Sequence, residues 1–394
     1  MKMRLFALLA VIFLAFIGMG ISNSLLGTGW PAISADIGVP LSNQSFIIVI
    51  IYAACAVGSS QAEKLLARFG TFFLLVFSTA VMVTSVFSYA QARSFGVLVV
   101  MGVLLGFGVG LTQSTVNGFI AKHYSAASMG WLHCCYAIGC MLAPVILSYF
   151  IIHETWRQGY SVAGSLHLVV LAVILLTVPL WKVIGPIFPK RLHREERAAA
   201  LPVKSIRQLL RIPGGTIIPL MLFFYCSTEV TFFFWGTSFL TEERGMSAGI
   251  AAGMMTYLYV GQVIGRAACG VISLKVRDRI FIRVMLILML AGIVLFLFST
   301  NAMLPPVFLF IGFASGPIFP LLIHEVPSIV GKENAQGVIG IQLAASSMGT
   351  ALTPLLLGAV AGKVGFWVFS VFIAVLFAAA FTLKMIQDHK YGKK

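Results

Sequence analysis

Long apolar runs alternate with short polar connections along nearly the whole chain, at a spacing that suits membrane-crossing helices. A helix needs about 20 apolar residues to span a bilayer. Twelve runs meet this, at 5–27, 44–62, 71–90, 95–119, 129–152, 163–182, 215–240, 248–273, 280–299, 303–325, 335–361 and 364–386. The first follows Lys2 and Arg4 as a secretory signal would. Its apolar stretch from Leu5 to Ile21 is too long for one, and no small-x-small cleavage site is obvious, so it reads as a span. The pattern predicts an all-α integral membrane protein with twelve transmembrane helices.

The longest polar stretch, residues 182–213, divides six runs from six. It predicts an N-terminal six-helix half (1–182), a cytoplasmic basic linker (183–213) and a C-terminal six-helix half with a cytoplasmic tail (214–394). Residues 203–211 have the pattern of a short amphipathic surface helix, but a solvated linker is the preferred reading. Every other connection is short, so no soluble domain is expected.

The two halves repeat. Gly102, Gly106, Lys122, Gly130, Gly139, Leu142 and Pro144 recur as Gly312, Gly316, Lys332, Gly340, Gly349, Leu352 and Pro354. A shift of about the same size sets Asn23 over Glu229 and, one residue out of step, Gly38 over Gly245. Two pseudo-symmetric six-helix halves are the plan of secondary transporters, which hold solute near the bilayer midplane between repeats. Gly18, Gly20, Gly27, Gly29 and Pro31 predict a first span that bends or unwinds easily. Gly102, Gly106 and Gly110 share one helix face and predict close helix approach.

Composition sharpens this picture. A chain that is 59% hydrophobic and 10% charged cannot cover itself with polar surface. The net charge of +15 is not spread as a nucleic-acid binder's would be. If the amino terminus is inside, only Arg93, Arg157, Arg244 and Lys363 of the 27 basic residues fall outside the cytoplasmic segments. That bias places both termini in the cytoplasm of a cell inner (plasma) membrane. All six cysteines lie in apolar runs without zinc-ligand spacing and read as packing residues. Cys134 and Cys135 beside His133 make only a minor soft-metal candidate. No metal cluster, nucleophile elbow or phosphate loop appears, so no enzyme activity and no cofactor are expected.

With its repeated six-span halves and basic central loop, the chain resembles the major facilitator superfamily over essentially its whole length. That family's loop signature after the second span, Gly-x-Leu-Ala-Asp-Arg-x-Gly-Arg-Arg, survives here as Leu66-Ala67-Arg68-Phe69-Gly70, with Glu63 and Ala67 in place of its first Gly and its Asp. A weaker trace follows the eighth span around Gly270 and Lys275. A narrower resemblance is to the fucose permease-like branch. It is carried by Gly106–Gly110, Asn117, Leu132-His133, Gly139 and Pro144, then by Glu229 with Trp235, Gly265-Arg266, Gly316–Pro320 and Gln342–Pro354. The resemblance implies a major facilitator fold and sugar:proton symport. The permeases' acids in the first and fourth spans are replaced here by Asn23 and Thr112-Gln113-Ser114, so that proton route does not carry over.

Polar residues at membrane depth supply the candidate chemistry. A carboxylate midway along the seventh span is costly unless it is protonated, paired or wetted, so Glu229 is the proton-coupling candidate, with His133 as a possible relay. Neutral hydrogen-bonding and aromatic groups suit a sugar: Asn23, Tyr52, Gln113, Asn117, Tyr136, Trp235, Tyr257, Gln262 and Gln342 are the substrate-binding candidates. Interhelical hydrogen bonding competes with that role for each Asn and Gln, and interfacial anchoring competes for Trp30 and Trp235. Arg68 and Arg266 are gating candidates near the inner face, with Glu63, Glu325 and Glu333 as possible partners. The expected function is secondary active transport of a small polar organic solute, a sugar, by alternating access with protons. The expected partners are that solute, protons and the lipid bilayer, without nucleic acid, and the chain is expected to act as a monomer. The alternatives are a proton-driven exporter of drugs or metabolites and a non-transporting membrane sensor.

Overall fold

The computed structural model describes residues 2–124, 126–181, 205–272 and 275–391. Among them twelve segments are long and apolar enough to cross a membrane, running from Phe6–Ile37 to Val368–Tyr391. They are carried by α1 (Lys2–Ile37), α2 (Gln44–Ala90), α3 (Phe95–His123), α4 (Ala126–His153) and α5 (Trp156–Leu176), which short α6 (Val178–Trp181) follows. After short α7 (Ile206–Leu210) come α8 (Ile217–Glu242), α9 (Ala248–Ile272), α10 (Asp278–Phe298), α11 (Leu304–Ser315), α12 (Ile318–His324), α13 (Val326–Val330), α14 (Lys332–Val364) and α15 (Val368–Tyr391). The second and third spans share α2, which turns at Gly70 (φ 81°, ψ 165°), a conformation that glycine adopts without penalty.

Three segments differ from the pattern in the sequence. Helix α1, expected to bend or unwind easily, is helical throughout from Lys2 to Ile37 with Pro31 inside it. Its glycines serve contact instead: a Cβ on Gly20 would lie 2.8 Å from Cys140 N and collide with the Tyr136 carbonyl. The sixth span begins at Trp156, seven residues before the apolar run, because Thr155 and Gln158 form a capping box that carries the polar first turn into the helix. The tenth span is broken. Helix α11 ends at Ser315, and α12 and α13 follow it to Val330. Pro317, Pro320 and Pro327 remove three backbone donors from this stretch.

The chain divides into two compact units, residues 1–194 with 246–256 and residues 195–245 with 257–394. In the first, α2 and α3 meet along a glycine seam: side chains on Gly106 and Gly110 would fall on the carbonyls of Ile51 and Cys55. Helices α1 and α4 meet through Gly20 and Gly139. The second unit uses equivalent positions. Gly261, Gly265, Gly312 and Gly316 bring α9 against the tenth span, and Gly349 of α14 lies against Phe223 and Ser227 of α8. The turns at Gly38 (φ 75°) and Gly245 (φ 65°) also match.

Most of the expected linker, residues 183–204, lies outside the described residues. Its end forms α7, opened by a capping box between Ser205 and Gln208. This end is docked where a solvated stretch was expected: Leu209 is buried with Ile218, Val326, Val330, Ala335 and Val338.

Candidate functional site

The second unit holds a compact polar cluster in an apolar frame. On α8, Tyr225 and Glu229 stand four residues apart and share a face; on α9, Gln262 and Arg266 do the same. Gln262 Nε2 donates to Glu229 Oε1 at 2.6 Å. The Tyr225 hydroxyl lies 3.5 Å from the same oxygen and 2.7 Å from the Ser315 carbonyl. The shorter contact takes the hydroxyl proton, so Tyr225 donates to Ser315, the residue at which the tenth span breaks. Arg266 stands one turn beyond Gln262 on α9. Tyr225 and Gln262 are buried, whereas Glu229 and Arg266 are half-buried. The cluster can hold a carboxyl group with one oxygen fixed by the Gln262 amide.

The first unit holds a neutral counterpart. Asn23 of α1 donates from Nδ2 to the Tyr136 hydroxyl of α4 at 2.9 Å. His133 and Tyr136 both meet the edge of Phe16, at 6.1 and 6.4 Å between centroids. His133 is half-buried in this unit, whereas Glu229 belongs to the other. Asn117 is half-buried, and its Oδ1 is a buried acceptor without a hydrogen bond. Tyr52 is half-buried and Gln113 exposed.

The remaining candidates lie elsewhere. Trp235 is wholly buried, its Nε1 donating to Pro354 O at 3.2 Å and its ring against Phe366. Gln342 is also wholly buried; its Nε2 reaches Leu322 O at 3.4 Å. Tyr257 is 43% exposed. Arg68 is exposed with its guanidinium 5.0 Å from the Phe69 ring centre.

Two groups escaped the sequence reading. His167 of α5 is fully buried, its Nδ1 2.8 Å from Ala163 O and its Nε2 2.7 Å from Ser22 Oγ. Near the C-terminus, Lys384 is fully buried in α15, paired with Glu325 and with Asp388 Oδ1 at 3.0 Å. Arg279 and Arg283 close on Asp388 from α10. Glu325 had been matched only loosely to nearby basic groups, and Lys384 and Asp388 look like tail residues. Their signal was a Lys and an Asp four residues apart at the end of a span.

Twelve spans in repeated, glycine-seamed halves, each with polar groups at membrane depth, define the class of multi-span membrane carriers. The Major Facilitator Superfamily profile matches residues 12–334 and 217–393. The chain belongs to that superfamily. It is 22% identical to Bypass of stop codon protein 6 of Saccharomyces cerevisiae over 95% of this chain and 82% of that protein. It is 19% identical to the glucose/mannose transporter GlcP of Bacillus subtilis over 87% and 85%. Against the quinolone resistance protein NorA of Staphylococcus aureus, identity is 24% over 45% of this chain and 46% of that one. Among solved structures, a bacterial homologue of the human lysosomal transporter Spinster superposes with a TM-score of 0.73 at 13% identity, covering 98% of this chain and 97% of that one. That likeness concerns the fold alone.

Proposed function

We propose that the protein is a monomeric secondary active transporter that moves a small polar organic solute, a sugar, by alternating access, with a proton carried on Glu229. The observation that carries the reading is the half-buried Glu229 carboxylate at mid-span, tied by Gln262 and faced by Arg266. A carboxylate kept at that depth with neutral donors around it suits cyclic protonation better than packing. Neutral hydrogen-bonding groups in the first unit, Asn23, Tyr136, Tyr52 and Asn117, suit solute hydroxyls, and the likeness to GlcP supports the sugar class. The basic bias of the loops supports a plasma membrane setting with both termini in the cytoplasm.

The test is counterflow of sugars and polyols in liposomes with internal pH recorded. Solute flux with acidification is expected, and Glu229→Gln is expected to keep counterflow while losing uphill uptake. Normal uphill uptake by that variant removes Glu229 from coupling. The likeness to NorA favours a second reading, proton-driven export of amphipathic compounds. Drug hypersensitivity of a deletion strain, with no sugar flux in liposomes, selects it.

A further inference from the structure

Gln262 stands among the residues expected to bind solute, yet its surroundings give it other work. Its backbone is clamped by the tenth span: a Cβ on Gly312 would lie 2.9 Å from Gln262 N, and one on Gly316 would lie 2.6 Å from Gln262 O and 2.9 Å from Arg266 N. Contacts this close leave the α9 backbone no room to shift toward the tenth span. The side chain is 2% exposed and its amide donates to Glu229 Oε1. Ser315, between the two glycines, takes the Tyr225 hydroxyl proton. Gln262 thus reaches the carboxylate oxygen from a fixed stretch of α9, while Tyr225, on the same helix as Glu229, ties α8 to Ser315 of the tenth span.

We propose that Gln262 is a positioning residue for Glu229 and not a solute ligand: it holds Oε1 through the glycine seam between α9 and the tenth span, and leaves Oε2 as the oxygen that takes and gives up the proton. The proposal deepens the coupling role given to Glu229 above and rests on that reading for its functional meaning. Facing the carboxylate are Gln262 of α9 and Tyr225 of its own helix, with Arg266 one turn beyond Gln262 and Cys226 three residues before Glu229. On the other helices packed against α8, His324 of α12 pairs with Asp278, Glu333 meets Asn334, Lys384 and Asp388 pair with each other, and Lys363, His389 and Lys390 are exposed. Among the described residues Arg266 is the charged member of the cluster beside Glu229, and Gln262 is the neutral donor whose removal can be isolated.

The experiment uses the full-length protein in liposomes. Glu229 is labelled with dicyclohexylcarbodiimide, which reacts with the protonated acid, and labelling is followed across pH by peptide mass spectrometry. Gln262→Met keeps the side-chain length and removes the donor to the charged form, so the acid form persists to higher pH. The labelling midpoint is expected to rise by about one pH unit, with the counterflow KM for solute unchanged. Gly316→Ala, which forces α9 from the tenth span and stretches the same bond, is expected to move the midpoint in the same direction if Gln262→Met does not accumulate. Tyr225→Phe, whose hydroxyl proton already goes to Ser315, is expected to leave it in place. An unmoved midpoint in Gln262→Met, or a raised KM at an unmoved midpoint, overturns the proposal. Uphill uptake by Glu229→Gln is scored separately: its survival removes the coupling reading and leaves the labelling result to decide the role of Gln262.

Discussion

At the residue scale, the charged groups of the second unit divide into those that pair completely and those that do not. Lys384 has no exposed surface and meets two acids, so Lys384→Ala leaves Glu325 short of its cation. Breaking such a buried pair from one side costs about 3–5 kcal/mol. The expected outcome is a clear fall in Tm in detergent for Lys384→Ala, largely restored in Lys384→Met with Glu325→Leu; equal Tm values for both would show the pairing to be without weight. Glu229 is different: its hydrogen-bond partners are the neutral Gln262 and Tyr225, so on the coupling reading proposed above a proton can cancel its charge. Trp235 is a third case. Its buried indole N–H is spent on Pro354 O, so Trp235→Phe is expected to lower stability by about 1 kcal/mol, the worth of one neutral hydrogen bond. Its KM for solute is expected to stay the same; a severalfold rise in KM would make the indole a solute contact.

At the scale of helices, the repeat has a physical meaning that individual glycines do not reveal. Gly106 and Gly316 both lie on seams, as do Gly139 and Gly349, whereas Gly130 and Gly340 both face open space. These three pairs therefore have matching surroundings in the two units, and substitutions at them should obey that symmetry. Gly139→Ala and Gly349→Ala are expected to destabilise by about 1–3 kcal/mol or more through overpacking. Gly130→Ala and Gly340→Ala are expected to be neutral or slightly stabilising, since alanine is the better helix former; thermal unfolding of the four variants decides. The capping box at Thr155 carries its own prediction, a loss of about 1 kcal/mol in Thr155→Ala. At this scale the sequence carries element type but not the position of breaks. Pro31 sits inside a continuous helix, while Pro317 and Pro320 accompany a broken one. The same residue type gives both outcomes because neighbouring helices decide whether freed carbonyls are satisfied. At the tenth-span break, the Tyr225 hydroxyl donates to the Ser315 carbonyl.

At the scale of the whole molecule, the basic bias of the loops makes a prediction that no single contact carries. Cysteines placed at Arg93 or Lys363 are expected to react with an impermeant maleimide on intact cells, and one placed at Lys390 only after permeabilisation; the reverse pattern would invert the proposed orientation. Twelve spans were legible in one dimension, because they follow from the length and hydropathy of segments that the bilayer reads as solvent. The candidate site was legible only in part. Glu229 stood out because an acid in an apolar run is rare, but its partners did not: Tyr225 and Gln262 look like many other polar residues at depth, and Lys384 looks like the tail. Spans that are apolar all round do not encode which face meets a neighbour and which meets lipid, since both surroundings accept the same side chains. That rotational choice, and with it the pairing of Glu229, Gln262, Tyr225 and Ser315, was decided by glycine seams and helix breaks that exist only once the helices are packed.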